Sequence, residues 1–175
     1  MTLNGGDLVQ YPTEPGYVYA VRLIERHGRS GIVADVDLGF QHWRRNMPLT
    51  LAGSGAARSA RSLEPGGRYV LQTARRGHER GFVAWVVDAE PAYTYAAVLG
   101  AGHDGDNLRL AIDLGLDQWI EGASVRLHGG NARELDEPGG LEAAANLRAI
   151  APAGTRVVLR ALKPDKYGGR YGARV

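Results

Sequence analysis

Apolar positions along this chain come in short runs with a period of two. "YVYAVRLI" (Tyr17–Ile24), "GIVADVDL" (Gly31–Leu38), "MPLTLAG" (Met47–Gly53), "RYVLQTA" (Arg68–Ala74) and "FVAWVV" (Phe82–Val87) alternate or run apolar, with glycine-bearing turns between them. That period puts every second side chain on one face of an extended strand, so five short strands are predicted before residue 90. One stretch has a different period. In "GGLEAAANLRAIAP" the residues Ala143, Leu147 and Ile150 fall at i, i+4 and i+7. This predicts a helix with that face turned inward and Pro152 just past its end.

The strand pattern is written twice. Tyr17–Trp43 lies over Tyr93–Trp119 without a gap, at an offset of 76. Tyr17/Tyr93, Tyr19/Tyr95, His27/His103, Asp37/Asp113, Leu38/Leu114, Gly39/Gly115 and Trp43/Trp119 coincide, and Pro48–Gly53 continues over Ser124–Gly129. "GRYVLQTARRGHERGFVAWV" (Gly67–Val86) then resembles "TRVVLRALKPDKYGGRYGARV" (Thr155–Val175), after about twelve additional residues in the second copy. Self-similarity of this kind marks a duplicated unit. Five strands with a helix between the third and fourth describe a small, partly open barrel of the OB type. The expected fold is mainly β: two tandem OB barrels, the second with one helix. The expected bounds are an N-terminal arm over 1–16, a first barrel over 17–90 and a second over 91–175. In the first copy "SGAARSARSLEPGG" stands where the helix would be and reads as loop. Trp43 and Trp119 are expected to pack over a barrel end.

Composition narrows the chemistry. Hydrophobic residues make up 44% and charged residues 23%, as in a globular domain. The absence of cysteine excludes disulfides, thiolate metal sites and a cysteine nucleophile. No run of about 18 apolar residues suggests a membrane span. The first residues, "MTLNGGDLVQYPTEPG", lack the basic start and apolar core of a secretory signal, so a cytoplasmic location is expected, or assembly into a virion if the chain is phage-encoded. Nearly all the cations are arginine, a preference that suits phosphate or carboxylate contacts and also follows from a GC-rich genome. Pro91–Val175 carries ten Lys+Arg and ten Asp+Glu, which argues against a strongly basic nucleic-acid groove.

Where the copies differ, candidate chemistry appears. The second copy reads "HDGDN" after its first strand, placing Asp104 and Asp106 in a turn where two carboxylates can face one hard cation. The first copy has Gly28 and Ser30 there. Arg126 falls inside a predicted strand between Val125 and Leu127, so it requires an anionic partner, either an internal carboxylate or a bound phosphate. Thr50 holds that position in the first copy. Glu134 follows on a loop, where it can act as a base. "KPDKYGGRYGARV" gathers Lys163, Asp165, Lys166, Tyr167 and Arg170 around a hairpin turn. Read individually, each is a solvated turn residue. Together they make a kit for phosphodiester hydrolysis: a cation to polarise phosphate, Glu134 to take a proton from water, and Arg126 and Arg170 to stabilise the transition state.

The motifs "DGDN", "RLHGGNARE", "GGLEAAANLRAI" and "DKYGGR", in that order over Tyr93–Val175, resemble those of the thermonuclease, or staphylococcal-nuclease-like, family. The resemblance implies an OB barrel with helices and a Ca²⁺-dependent nuclease. It implies Asp104, Asp106 and Asn131 at the metal, Arg126, Glu134 and Arg170 as catalytic residues, and Lys166 and Tyr167 near phosphate. Asn131 takes the place of a second metal-ligating Asp and weakens the expected cation site by one charge. Asn107 and Arg133 replace the usual Thr and Pro, and Gly169 is additional. The two C-terminal helices of the family have no counterpart in this stretch, so the second barrel is expected to lack them. The first copy resembles the same barrel without its site, with Arg80 the one relic of the hairpin arginine. Two functions are therefore expected in competition. One is a Ca²⁺-dependent nuclease with nucleic acid as partner. The other is a non-catalytic assembly or docking protein with protein partners or self-assembly, such as a phage virion component. Single-stranded nucleic-acid binding by the barrels ranks third.

Overall fold

The computed structural model describes residues 17–75, 81–101, 105–129, 131–164 and 171–174. Ten strands and two helices follow one another over these residues: β1 Val18–His27, β2 Gly31–Asp37, β3 Trp43–Leu51, α1 Ala56–Ser62, β4 Arg68–Arg75, β5 Phe82–Val86, β6 Thr94–Leu99, β7 Asn107–Gly115, β8 Gln118–Leu127, α2 Gly140–Ile150, β9 Arg156–Pro164 and β10 Tyr171–Arg174. The N-terminal arm lies outside the described residues.

The strands close into two five-stranded barrels, one ordered β1-β2-β3-β5-β4 and the other β10-β8-β7-β6-β9. In each barrel the first three strands form an antiparallel meander, and the fifth pairs parallel with the third. This order is compatible with an OB-like barrel. Alternation fills the interiors. Val21, Leu23, Ile32, Val36 and Leu71 are buried in the first barrel, and Leu99, Leu110, Ile112, Val125 and Leu159 in the second. Closure leaves no free sheet edge in either.

Three sequence expectations are corrected. The segment read as loop in the first copy contains α1. Gly55, in the left-handed region at φ 93°, starts it, and Ala60 and Leu63 bury against the core. Small residues hid this helix, because Ala and Ser give little apolar contrast. Next, the apolar face of α2 is only partly inward: Ala143 and Leu147 lie on the packed side, whereas Ile150 does not. The helix buries Gly140 and Ala144, leaves Leu147 partly buried and exposes Ile150 at 82%. Close packing here selects small residues over large ones. Finally, Trp43 and Trp119 are covered less than expected. They are 48% and 54% exposed, at the starts of β3 and β8.

The duplicated residues meet each other across the two barrels. The Tyr17 hydroxyl donates to Asp113 Oδ2 at 3.1 Å, and the Tyr93 hydroxyl to Asp37 Oδ2 at 3.1 Å. Tyr19 donates to the Leu114 carbonyl at 2.5 Å, and Tyr95 to the Leu38 carbonyl at 2.6 Å. Each contact is its partner's image under exchange of the copies, the pattern of an isologous interface within one chain. The "DLG" turns are shaped for it. The Asp37 carboxylate also accepts from the Gly39 N–H at 2.9 Å, and Asp113 from Gly115 at 2.8 Å. Gly39 and Gly115 sit at φ 73° and 75°. The buried residues of both barrels run together in one apolar cluster.

Candidate functional site

Three of the sequence-predicted site residues, Asp106, Arg126 and Asn131, come together beside the start of β7 in the second barrel. Asp106 lies immediately before β7, which pairs antiparallel with β8 so that Asn107 faces Arg126. This register carries Arg126 back over the Asp106 turn. Arg126 Nε donates to Asp106 Oδ2 at 3.2 Å, and one of its terminal nitrogens lies 3.1 Å from the same oxygen. The same terminal nitrogen, Nη2, also reaches Asn131 Oδ1 at 3.3 Å. The Ala132 N–H adds a bond of 3.3 Å to Asp106 Oδ2. Asp106 is 6% exposed, so its charge depends on these partners. Of the two anion sources considered for Arg126, the structure supplies the internal carboxylate.

Local packing fixes the turn. A Cβ at Gly105 would lie 2.6 Å from Ala132 Cβ and 2.8 Å from Ala143 Cβ, so only glycine lets the turn pack beneath the 131–134 loop and α2. A Cβ at Gly140 would collide with the Glu134 carbonyl, which ties that loop to the start of α2. Asn107 is buried, and its Oδ1 accepts from Ser124 Oγ at 3.0 Å. Glu134 is exposed on its loop, and its N–H donates to Glu137 Oε2 at 3.2 Å. The structure thus brings together Asp106, Arg126 and Asn131, with Glu134 three residues along the same loop. Asp104, Lys166, Tyr167 and Arg170 lie outside the described residues, as do Gly169 and Arg80.

Among the described residues, which do not include Asp104, the oxygen donors are few for a cation. Ca²⁺ takes about six to eight oxygen ligands and favours carboxylates. Here one carboxylate and one amide oxygen converge, and both already accept from the Arg126 guanidinium, which occupies the cationic role between them. Among the described residues no three His, Asp or Glu side chains gather in a way that would hold a metal.

A second site lies between the barrels and was not anticipated. Tyr17, Arg75 and Phe82 from one barrel and Asp113, Leu116, Asp117 and Trp119 from the other line a cleft of about 290 Å³. The Arg75 guanidinium lies 5.5 Å from the Phe82 ring centroid and is ion-paired with Asp117. The Tyr17 hydroxyl is pushed up to about 12, first by burial and then by the neighbouring Asp113 charge, so it is a neutral donor here. The signal in the sequence was the repeat itself. Its shared Tyr and Asp positions are the interface, but their exchange between copies emerges only in three dimensions.

No family model matches this chain, and no curated protein matches it at a significant level. Among solved structures it is similar to a multidomain protein with nucleic acid binding domains from Streptococcus pneumoniae, at 10% identity and a TM-score of 0.26. The match covers 90% of this chain and 50% of that one, so this chain spans about half the length of that structure.

Proposed function

We propose that this protein is a non-catalytic docking module built from tandem nuclease-like OB barrels, in which the thermonuclease-type cluster of the second barrel serves as an internal ion pair. One observation carries the reading. Arg126, which the family resemblance assigns to phosphate, is held by Asp106 and Asn131, the residues it assigns to the metal. Two halves of a reactive site have neutralised each other. A buried carboxylate with a guanidinium partner and a backbone donor is a satisfied structural element.

The test is release of acid-soluble nucleotides from DNA and RNA with added Ca²⁺, alongside calorimetry with Ca²⁺ alone. Wild type and Glu134→Ala are expected to give the same background, and Ca²⁺ to give no saturable heat. Cleavage that Glu134→Ala abolishes overturns the proposal.

The second reading is Ca²⁺-dependent phosphodiester hydrolysis, with Arg126 on phosphate and Glu134 as base. The ordered run Asp104, Asp106, Arg126, Glu134, Arg170 favours it. On that reading Glu134→Ala lowers the rate by a factor of about 10² or more, the usual contribution of a general base.

A further inference from the structure

The two copies part company beside their exposed tryptophans. In the first, Trp43 and Arg45 stand two residues apart on β3 and share a face. The Arg45 guanidinium lies 5.0 Å from the Trp43 ring centroid and donates to Asp35 Oδ2 at 2.7 Å. Asp35 also accepts from the Asn46 N–H at 3.0 Å. That backbone bond first, then Arg45, holds the Asp35 carboxyl below the usual carboxylate range. The first copy therefore carries its own arginine, anchored on the indole.

At the same offset that aligns the copies, Trp43 becomes Trp119, Arg45 becomes Glu121 and Asp35 becomes Ala111. The strand register is the same, since Asp37 faces Trp43 and Asp113 faces Trp119. Trp119 and Glu121 are both exposed on β8 and flank the less exposed Ile120, two residues apart as Trp43 and Arg45 are on β3. Among the described residues no cation lies over the Trp119 ring. Where the first copy carries Trp43 and Arg45, the second carries an exposed indole and an exposed carboxylate.

We infer that Trp119, which lines the inter-barrel cleft, and Glu121, two residues along β8, form a docking site for an arginine side chain of a partner protein. The guanidinium takes the place over Trp119 that Arg45 holds over Trp43, and Glu121 supplies its counter-charge. Three arguments select this ligand. Indole is the aromatic face that binds cations best. Among the described residues that line the cleft with Trp119, the carboxylates of Asp113 and Asp117 accompany one guanidinium, that of Arg75, and Glu121 adds a third carboxylate two residues along β8, a balance that opposes a phosphate backbone. A planar guanidinium can stack on the ring and bond a carboxylate edge together, which a lysine ammonium cannot. The cleft already holds one such group, since Arg75 joins the Phe82 face and Asp117.

This inference rests on the docking reading for its class of partner. Glu134-dependent cleavage would end that reading and leave this site standing, whereas failure here would leave the nuclease test and its outcome untouched. The experiment uses the full chain labelled with ¹⁵N, with the Trp119 indole N–H resonance assigned by its loss in Trp119→Phe. The probes are an acetylated Gly-Arg-Gly-Arg-Gly peptide, the same peptide with citrulline for arginine, and a thymidine oligonucleotide. The arginine peptide is expected to shift the Trp119 resonance saturably, while the other two leave it in place. Glu121→Arg, which restores the first copy's pairing, and Glu121→Gln are each expected to weaken the response, by about tenfold for Glu121→Arg. An equal response to citrulline, a response to the oligonucleotide in place of the peptide, no response at all, or an undiminished response in both variants would overturn the inference.

Discussion

Gly39 and Gly115 set how closely the two barrels approach. Each has a positive φ, and a Cβ at either would strike the hydroxyl of the tyrosine arriving from the other barrel, Tyr95 or Tyr19. Gly39→Ala therefore combines left-handed strain with a displaced buried hydrogen bond and is expected to cost about 2–3 kcal/mol in urea denaturation. Gly28→Ala is the control, because Gly28 also has positive φ but nothing within 4 Å of its Cβ position. It should cost only the backbone share, about 1 kcal/mol. The same tyrosines make stability depend on alkaline pH. Burial, and then the charges of Asp113 and Asp37, raise Tyr17 and Tyr93 from 10.0 to about 12. Tyr19 and Tyr95 are raised further, with burial again the first cause. The folded chain holds these protons more tightly than the unfolded chain does. Their contribution is thus complete below pH 10 and is lost as pH rises towards 12. Denaturation followed across that interval should show stability falling, with a shallower fall in the Tyr17→Phe, Tyr93→Phe double variant.

The second barrel's strand pair β7–β8 depends on the Asp106–Arg126 pair, and this is where the sequence was most and least legible. Its residues were identified because a strand arginine between two apolar neighbours demands an anion, and because the motif order resembles a known pattern. Which anion it takes was not legible, since the choice depends on the antiparallel register that folds Arg126 over the turn. The strands were readable from their period of two, which survives in any half-buried sheet. Helix α1 was not readable, as alanine and serine carry no apolar stripe, and the face of α2 was readable in part: Ala143 and Leu147 lie on the packed side, but the most deeply buried positions are Gly140 and Ala144, and Ile150 is exposed. The pair itself makes a sharp prediction. Arg126→Met takes the guanidinium from a carboxylate that is 6% exposed and should cost about 2–4 kcal/mol. Asp106→Asn combined with Arg126→Met should recover much of that loss, because it removes the buried charge that the guanidinium offset. Urea denaturation of the two single variants and the double variant measures the recovery. Losses that simply add would show that Arg126 and Asp106 do not act as a pair.

At the scale of the whole molecule, the repeat builds an interface as well as two barrels. Tyr19 and Tyr95 are each about 1% exposed or less, and each donates to a carbonyl that belongs to the other barrel. Removing one hydroxyl leaves a buried carbonyl short of a partner, at about 1–3 kcal/mol. The loss falls on the contact between barrels, because the rings still fill the same space. Two units unfold together while their coupling exceeds the difference between their separate stabilities. Wild type is therefore expected to show a single calorimetric transition, with a van't Hoff enthalpy about equal to the calorimetric one. In the Tyr19→Phe, Tyr95→Phe double variant both bonds are gone, and the transition should broaden or split, with the van't Hoff value falling below the calorimetric one. The Tyr17→Phe, Tyr93→Phe double variant removes two half-buried hydroxyls whose carboxylate partners keep their Gly39 and Gly115 bonds, so it should lower the midpoint less and leave one transition. If both double variants keep a single sharp transition, cooperativity resides in the shared apolar cluster, and the exchanged tyrosines serve to fix the orientation of the barrels.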